Sequence, residues 1–200
     1  MMRPHHGLAA LLLVLAGCSA PLASDTAVPG QASAAATPHS RASGVPADTG
    51  PEFDHRDPGD SRAALPDAIS RALQTDALVL DCPEGVDRGR SLFARDWVGV
   101  HRADLDSDGR EEWILNGLHP CLRQQADGHA YWWVYGGEED AGTMQLLARA
   151  LQGRVLEVLP GRHGGMADLR MHLVNGRGEP LQLDLASDGA RYVPMGRLEP

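Results

Sequence analysis

The sequence predicts an α+β fold that is mainly β, in which a short N-terminal helix packs on a curved antiparallel β-meander. Three observations support this. Short apolar segments with period-two alternation recur along the second half of the chain, turns rich in Gly or Asp-Gly separate them, and one earlier segment has helical spacing. Short strands with short connections are typical of antiparallel sheets.

The predicted helix covers residues 65–73. Pro66 suits the first turn of a helix, and Asp67 suits its positively charged end. Ile69 and Leu73 lie one turn apart and would form the buried face. We therefore expect this helix to cover one side of the sheet.

The predicted strands share apolar residues at alternate positions. They are residues 97–101, 112–115, 131–135, 144–149, 154–159, 169–174 and 181–185. Asn175-Gly176 connects the last two strands, and Asn-Gly is a strong hairpin signal.

The N-terminus resembles that of an exported lipoprotein. An apolar run at residues 7–16 follows Arg3 and ends in Leu15-Ala16-Gly17-Cys18. The run is too short to span a bilayer but suits a signal peptide. The tetrad resembles the lipobox of bacterial lipoproteins, which implies cleavage after residue 17 and lipidation of Cys18. By the same resemblance, Ser19 implies the periplasmic face of the outer membrane, since Asp at that position favours the inner membrane. The alternative is an ordinary signal peptide with a cysteine nearby.

Residues 18–60 are predicted to be a lipidated N-terminus followed by a disordered linker. The segment is rich in Ala, Ser and Pro, and Phe53 is its one aromatic residue. Such a composition buries too little apolar surface to offset the entropy lost on ordering. His39 and His55 are accordingly expected to be solvated. The globular periplasmic domain is predicted to cover residues 61–200.

The formal net charge is −9. Proteins that bind nucleic acid carry basic patches, so this acidity argues against a nucleic-acid partner. It also argues against electrostatic docking on anionic lipid head groups. The expected contact with the membrane is therefore the lipid on Cys18.

An acidic loop is the sharpest chemical motif. Asp104, Asp106 and Asp108 alternate along it, and Gly109 permits the sharp turn that would aim their carboxylates at one centre. The carbonyl of Arg110 and the side chain of Glu112 could add two further oxygens. Such an all-oxygen site suits Ca²⁺, whereas Mg²⁺ demands stricter geometry.

The loop is similar to the calcium loops of FG-GAP and VCBS repeat proteins, although Ser107 replaces the usual glycine. An EF-hand would need Glu where Leu115 stands. The resemblance implies Asp104, Asp106, Asp108 and Glu112 as side-chain ligands. The alternative is a solvated acidic turn between two strands.

Two cysteines, Cys82 and Cys121, remain after the anchor is assigned. In an oxidising compartment the simplest expectation is one disulfide, which would stabilise the fold by roughly 3–4 kcal/mol. A zinc site that adds His119 is an alternative, but the spacing lacks a zinc motif. A cysteine nucleophile is a weaker alternative, since nothing indicates an activated thiolate.

Two further segments are candidates for a binding surface. Tyr131, Trp133 and Tyr135 share one side of a strand, which is either buried on both faces or presents an aromatic stripe to sugars or a protein. Arg162 and His163 lie in a Gly-rich connection between two strands, where binding residues are common.

The acidic loop, the cysteine after it and the aromatic segment at residues 131–135 follow one another in this chain. In this pattern most of residues 77–195 resemble small periplasmic proteins and lipoproteins of proteobacteria, and the resemblance implies no particular activity. No common catalytic or nucleotide-binding motif is present. We therefore expect a non-enzymatic, calcium-stabilised module that binds an envelope protein or peptidoglycan. The alternatives are an inhibitor of a periplasmic or incoming hydrolase such as lysozyme, and a hydrolase that uses acidic residues from separate loops.

Overall fold

The computed structural model describes residues 50–124, 127–137 and 144–196. These residues lie within one compact unit, Gly44–Pro200, and the other unit, Met1–Ser43, is outside the described residues. The predicted signal peptide, the lipidation site Cys18 and His39 therefore fall outside the description.

The described residues form short helices and twelve strands. The helices are α1 (Asp67–Gln74) and α2 (Ala77–Leu80), with 3₁₀ turns at Arg95–Trp97 and Pro120–Leu122. The strands are β1 (Glu52–Asp54), β2 (Val86–Asp87), β3 (Arg90–Ser91), β4 (Val98–Ala103), β5 (Glu112–Gly117), β6 (Arg123–Gln124), β7 (His129–Gly136), β8 (Gln145–Gly153), β9 (Val155–His163), β10 (Met166–Val174), β11 (Pro180–Ser187) and β12 (Tyr192–Pro194).

The strands form two large antiparallel sheets and the small β2-β3 ribbon. The first sheet has the order β1-β9-β10-β11-β12, and the second has the order β4-β5-β7-β6, with β8 also paired to β7. The predicted class, α+β and mainly β with antiparallel pairing, is confirmed. After β1 the chain forms the second sheet with β4 to β8, and it returns to the first sheet at β9.

Two hydrophobic cores lie on opposite faces of the second sheet. One fills the space between the two sheets and contains Ile114 and Trp132. The other lies between the second sheet and the helices and contains Leu115 and Trp133. Successive residues of β5 and β7 therefore point into different cores, as the period-two geometry of a strand requires. The second sheet is the central layer of three.

Helix α1 is close to its prediction. It begins at Asp67, with Pro66 at the N-cap position, and Ile69 and Leu73 are fully buried. The following one-turn helix α2 was not predicted from the sequence, because its four residues, Ala77–Leu80, are too few to show a helical period. Both helices cover the second core.

The folded domain begins earlier than the predicted boundary at residue 61. Strand β1 pairs with β9, which places Phe53 opposite Leu156 at the edge of the first sheet. His55, expected to be solvated, is only 5 % exposed. The expectation was wrong because backbone pairing with a distant strand orders this segment, and its own composition carries no sign of that pairing.

None of the helices in the described parts of the chain has both the length and the apolar character required to cross a membrane.

Candidate metal centre

The acidic loop connects β4 to β5, which are neighbours in the central sheet. Ala103 and Glu112 are the last paired residues before the loop, so the loop closes a hairpin. Leu105, the second residue of the loop, is fully buried and packs in the core between the sheets. One apolar side chain therefore anchors a loop whose charged residues face solvent.

The structure brings three of the predicted ligands together. Asp104, Asp106 and Asp108 each offer a carboxylate oxygen, and these oxygens all lie within 4.8 Å of one another. Asp104 and Asp108 are exposed, and Asp106 is half-buried. Hard oxygen donors of this kind suit Ca²⁺ and Mg²⁺.

Hydrogen bonds from the backbone wrap the loop around these carboxylates. Asp104 accepts from the N–H groups of Ser107 at 2.6 Å and Gly109 at 3.1 Å. Asp106 accepts from the N–H of Asp108 at 3.0 Å. Ser107 has φ 62° and Gly109 has φ 86°, so the chain reverses through two left-handed residues. Glycine tolerates that conformation, whereas serine adopts it at some cost.

Arg110 contacts Asp108 through its side chain. Its Nε and Nη2 atoms lie 2.9 and 2.7 Å from the Asp108 Oδ2 atom. The guanidinium holds the pKa of the Asp108 carboxyl below its usual value. A cation bound to this aspartate would therefore compete with Arg110 for the same carboxylate. The predicted role of the Arg110 carbonyl stays a prediction.

Glu112 is separate from the three converging aspartates. It is only 6 % exposed, and its Oε2 atom accepts from the backbone N–H of Leu105 at 2.6 Å. Burial raises the pKa of Glu112, and the negative charges of Asp106 and Asp104 raise it further. In this structure its carboxylate holds the start of the loop against β5.

Arg162 contacts the loop from the other sheet. It lies on β9, and its Nη1 atom donates to Ser107 Oγ at 2.8 Å. Its Nη2 atom donates to the carbonyls of Leu105 at 3.1 Å and Gly165 at 2.7 Å. The backbone N–H of Ala167 also donates to the Leu105 carbonyl at 2.6 Å. The β9-β10 hairpin thus fastens the acidic loop, and sequence reasoning missed this pairing because the two segments are distant in the chain.

His163 lies next to Arg162 and pairs with a buried carboxylate. Its Nδ1 atom is 2.7 Å and 3.0 Å from the two carboxylate oxygens of Asp168. The His163 side chain is 58 % exposed, whereas that of Asp168 is 5 % exposed. The carboxylate orients the imidazole and leaves its other nitrogen directed away from the pair. Asp168 was not singled out from the sequence, since an isolated aspartate in a strand gives no signal of its partner.

The aromatic strand does not form an open stripe. Trp133 is fully buried and Tyr135 is 2 % exposed, while Tyr131 is half-buried. Trp133 and Tyr135 pack in the core beneath α1 and α2. Of the two alternatives, burial on both faces is therefore confirmed, and Trp133 and Tyr135 do not form an open aromatic surface because the helical layer covers that face of the sheet. Of the candidate surface residues, Arg162 and His163 remain exposed.

The predicted disulfide is confirmed. Cys82 and Cys121 are bonded, with their Cα atoms 5.6 Å apart and a sequence separation of 39. The bond links the residue that follows the C-cap of α2 to the 3₁₀ turn after β5. It therefore joins the helical layer to the central sheet.

No protein-family model, no curated protein and no solved structure matches this chain. The geometry of its own residues is consequently the basis for proposing what the protein does.

Proposed function

We propose that this chain is an exported lipoprotein, anchored through Cys18 at the periplasmic face of the outer membrane. Its folded domain is a non-enzymatic module that binds an envelope protein or peptidoglycan, and a structural Ca²⁺ ion stabilises it. The observation that carries the proposal is the convergence of Asp104, Asp106 and Asp108 on a loop that both sheets hold.

Charge favours a cation in the loop. Three carboxylates within 4.8 Å of one another repel, and one guanidinium contacts Asp108. A divalent ion would relieve the remaining repulsion and take oxygen ligands that are already close together. Because Arg162 ties the loop to β9, an ion that orders the loop would stabilise both sheets.

The disulfide supports an extracytoplasmic location. Structural disulfides persist in the periplasm and are rare in the cytosol. The Cys82–Cys121 bond therefore agrees with the lipobox Leu15-Ala16-Gly17-Cys18, which is an independent feature of the sequence.

The tip of the β9-β10 hairpin is the proposed binding surface. Gly164-Gly165 forms the turn, and the side chains of Arg162 and His163 beside it are exposed. His163 is oriented by Asp168 and offers a nitrogen for hydrogen bonding to a polar partner. The partner class follows from location, since envelope proteins and peptidoglycan are what an anchored periplasmic domain meets.

Thermal and urea unfolding with Ca²⁺ and with chelator test the metal site. Calcium at about 100 times its dissociation constant should raise the free energy of unfolding by about 2.7 kcal/mol. The double variant D104N/D106N should abolish this gain, whereas D87N, which changes an exposed aspartate on β2, should retain it. If Ca²⁺ does not change the unfolding curve of the parent protein, the metal site is refuted and the loop is an acidic turn.

Metabolic labelling with radioactive palmitate tests the anchor. The parent chain should carry label in the outer-membrane fraction, and C18S should lose both the label and the membrane association. C82S, which removes a different cysteine, should still be labelled. An unlabelled parent protein in the cytosol would contradict export and lipidation together.

The exposed hairpin tip also favours a second candidate function, inhibition of a periplasmic or incoming hydrolase of the lysozyme class. Arg162 and His163 beside the tip are exposed, and their basic side chains would suit an acidic catalytic cleft. Added protein should then slow lysis of cell walls, and the double variant R162A/H163A should not. Unchanged lytic rates with excess parent protein would exclude this function.

A further inference from the structure

A third donor group stands beside the disulfide. The Nδ1 atom of His119 lies 2.8 Å from Cys121 Sγ. The imidazole is stacked on the ring of Trp97, with centroids 4.0 Å apart and 14° between the planes. Trp97 is itself buried, so packing holds the imidazole in place next to the sulfur atoms.

The three donor atoms form one cluster. The two Sγ atoms and a ring nitrogen of His119 all lie within 4.8 Å of one another. Tetrahedral Zn²⁺, with Zn–S near 2.3 Å and Zn–N near 2.0–2.1 Å, holds its ligand atoms about 3.5–3.8 Å apart. To bind zinc, the two sulfur atoms would have to move apart from the length of a covalent S–S bond, about 2.0 Å, to this ligand spacing.

The disulfide prevents metal binding while it is intact. Zn²⁺ is bound by thiolates, and bonded sulfurs carry no negative charge. Cys121 and His119 are half-buried whereas Cys82 is buried, so one side of the group is open to solvent. A water molecule could complete the coordination from that side.

We propose that the reduced chain binds one Zn²⁺ ion through Cys82, Cys121 and His119, so that the disulfide controls a metal site. A dithiol reductant supplies two electrons and two protons: it becomes a cyclic disulfide, and the two cysteines become thiols. Zn²⁺ then displaces the two thiol protons, which pass to water. The site is separate from the calcium loop, and its soft sulfur donors select against Ca²⁺.

Cobalt titration of the C18S chain tests this inference, because Cys82 and Cys121 are then its only cysteines. The protein is reduced with a dithiol, freed of reductant without air, and titrated with Co²⁺. The reduced protein should develop thiolate-to-cobalt absorption that saturates at one ion per chain, and Zn²⁺ should displace the Co²⁺. The oxidised protein should show no such absorption.

Two variants separate a ligand from a merely structural histidine. Removing a residue that only hydrogen-bonds to a metal ligand weakens metal binding about 10- to 100-fold. H119Q removes a ligand itself, so it should weaken binding by at least that factor. H39Q, which changes a histidine of the predicted linker, should bind like the parent. In the reduced parent, ¹⁵N NMR should show Zn²⁺ shifting a ring-nitrogen resonance of His119, a readout that needs no variant.

Several results would overturn the inference. They are a folded, reduced parent without cobalt–thiolate absorption, an unshifted His119 resonance with Zn²⁺ present, or equal affinities in H119Q and the parent. Loss of the fold on reduction, judged by circular dichroism, would also contradict it, because the three donors would then no longer be held together.

Discussion

At the scale of single residues, Asp76 connects three elements through one carboxylate. It caps α2 by accepting from the N–H of Leu78 at 2.9 Å, and it accepts from the indole N–H of Trp133 on β7 at 3.2 Å. Arg149 on β8 donates to both of its oxygens at 2.9 and 3.1 Å. The Asp76 side chain is 6 % exposed, so these partners replace water around a buried charge.

We expect Asp76→Ala to lower the free energy of unfolding by about 2–4 kcal/mol. The substitution removes a helix cap and leaves the buried Trp133 N–H without its acceptor. The Arg149 side chain is 46 % exposed and would be rehydrated, so the loss stays below that of a fully buried ion pair. Urea unfolding measures the difference. Asp67→Ala, at the exposed first turn of α1, should cost less than about 1 kcal/mol, and equal losses in the two variants would contradict this role.

Arg162 holds two segments that are far apart in the chain. We expect Arg162→Lys to increase amide hydrogen exchange in residues 104–111, because a lysine cannot reproduce the fork that contacts Ser107 Oγ and two carbonyls. Exchange followed by mass spectrometry measures the change. Arg177→Lys, in the β10-β11 turn, serves as the matched control. Unchanged protection of the loop in Arg162→Lys would show that β9 does not order it.

At the scale of elements, the disulfide strengthens the attachment of α2 to the central sheet. A helix of four residues is not stable by itself, since helix nucleation is unfavourable. The disulfide from Cys82 closes a segment with a sequence separation of 39. By the loop-entropy relation, a closure of this size stabilises the fold by roughly 3–4 kcal/mol.

The double variant C82S/C121S should therefore lose about that much stability. The helical layer should be affected most, because the core between the two sheets contains neither cysteine. Urea unfolding gives the total change, and hydrogen exchange locates it. A loss spread evenly over β9, β10 and β11 would contradict a local role for the bond.

At the scale of the whole molecule, buried histidines make stability depend on pH. His55, His101 and His129 are 5 %, 7 % and 4 % exposed. Burial is the main cause that lowers the pKa of each from the usual 6.5. They accept or donate hydrogen bonds as neutral rings, as His101 does with Asn116 Oδ1 at 3.1 Å.

We expect the free energy of unfolding to fall as pH decreases from 7 towards 5. As pH falls through 6.5 the unfolded chain binds protons at these histidines more readily than the folded chain does, so protonation favours unfolding. Glu112 acts in the opposite direction, because its raised pKa lets the folded protein take up a proton more readily. The three histidines should contribute more to the pH dependence than the one glutamate. The free energy of unfolding should therefore increase with pH over this range.

Urea midpoints at several pH values measure this slope. His101→Gln, which cannot titrate, should flatten the dependence, whereas His39→Gln in the predicted linker serves as the control. Equal slopes in the parent and His101→Gln would show that His101 does not contribute.

The sequence by itself determined the local elements, and the tertiary structure decided how they meet. The apolar run at residues 131–135 predicted a strand, and the helical spacing of Ile69 and Leu73 predicted α1, because each pattern depends on neighbouring residues. The alternation of Asp104, Asp106 and Asp108 likewise placed their carboxylates close together. Even the disulfide followed from the number of cysteines.

The sheet that each strand joins, and what covers each face, depend on contacts between distant residues. Three features therefore appeared only in the folded molecule. Glu52–Asp54 forms strand β1, helices α1 and α2 cover Trp133, and Arg162 binds the acidic loop. A composition or a period carries no information about a partner a hundred residues away. Which distant segments pair depends on which arrangement buries the apolar faces and gives the buried polar groups hydrogen-bond partners.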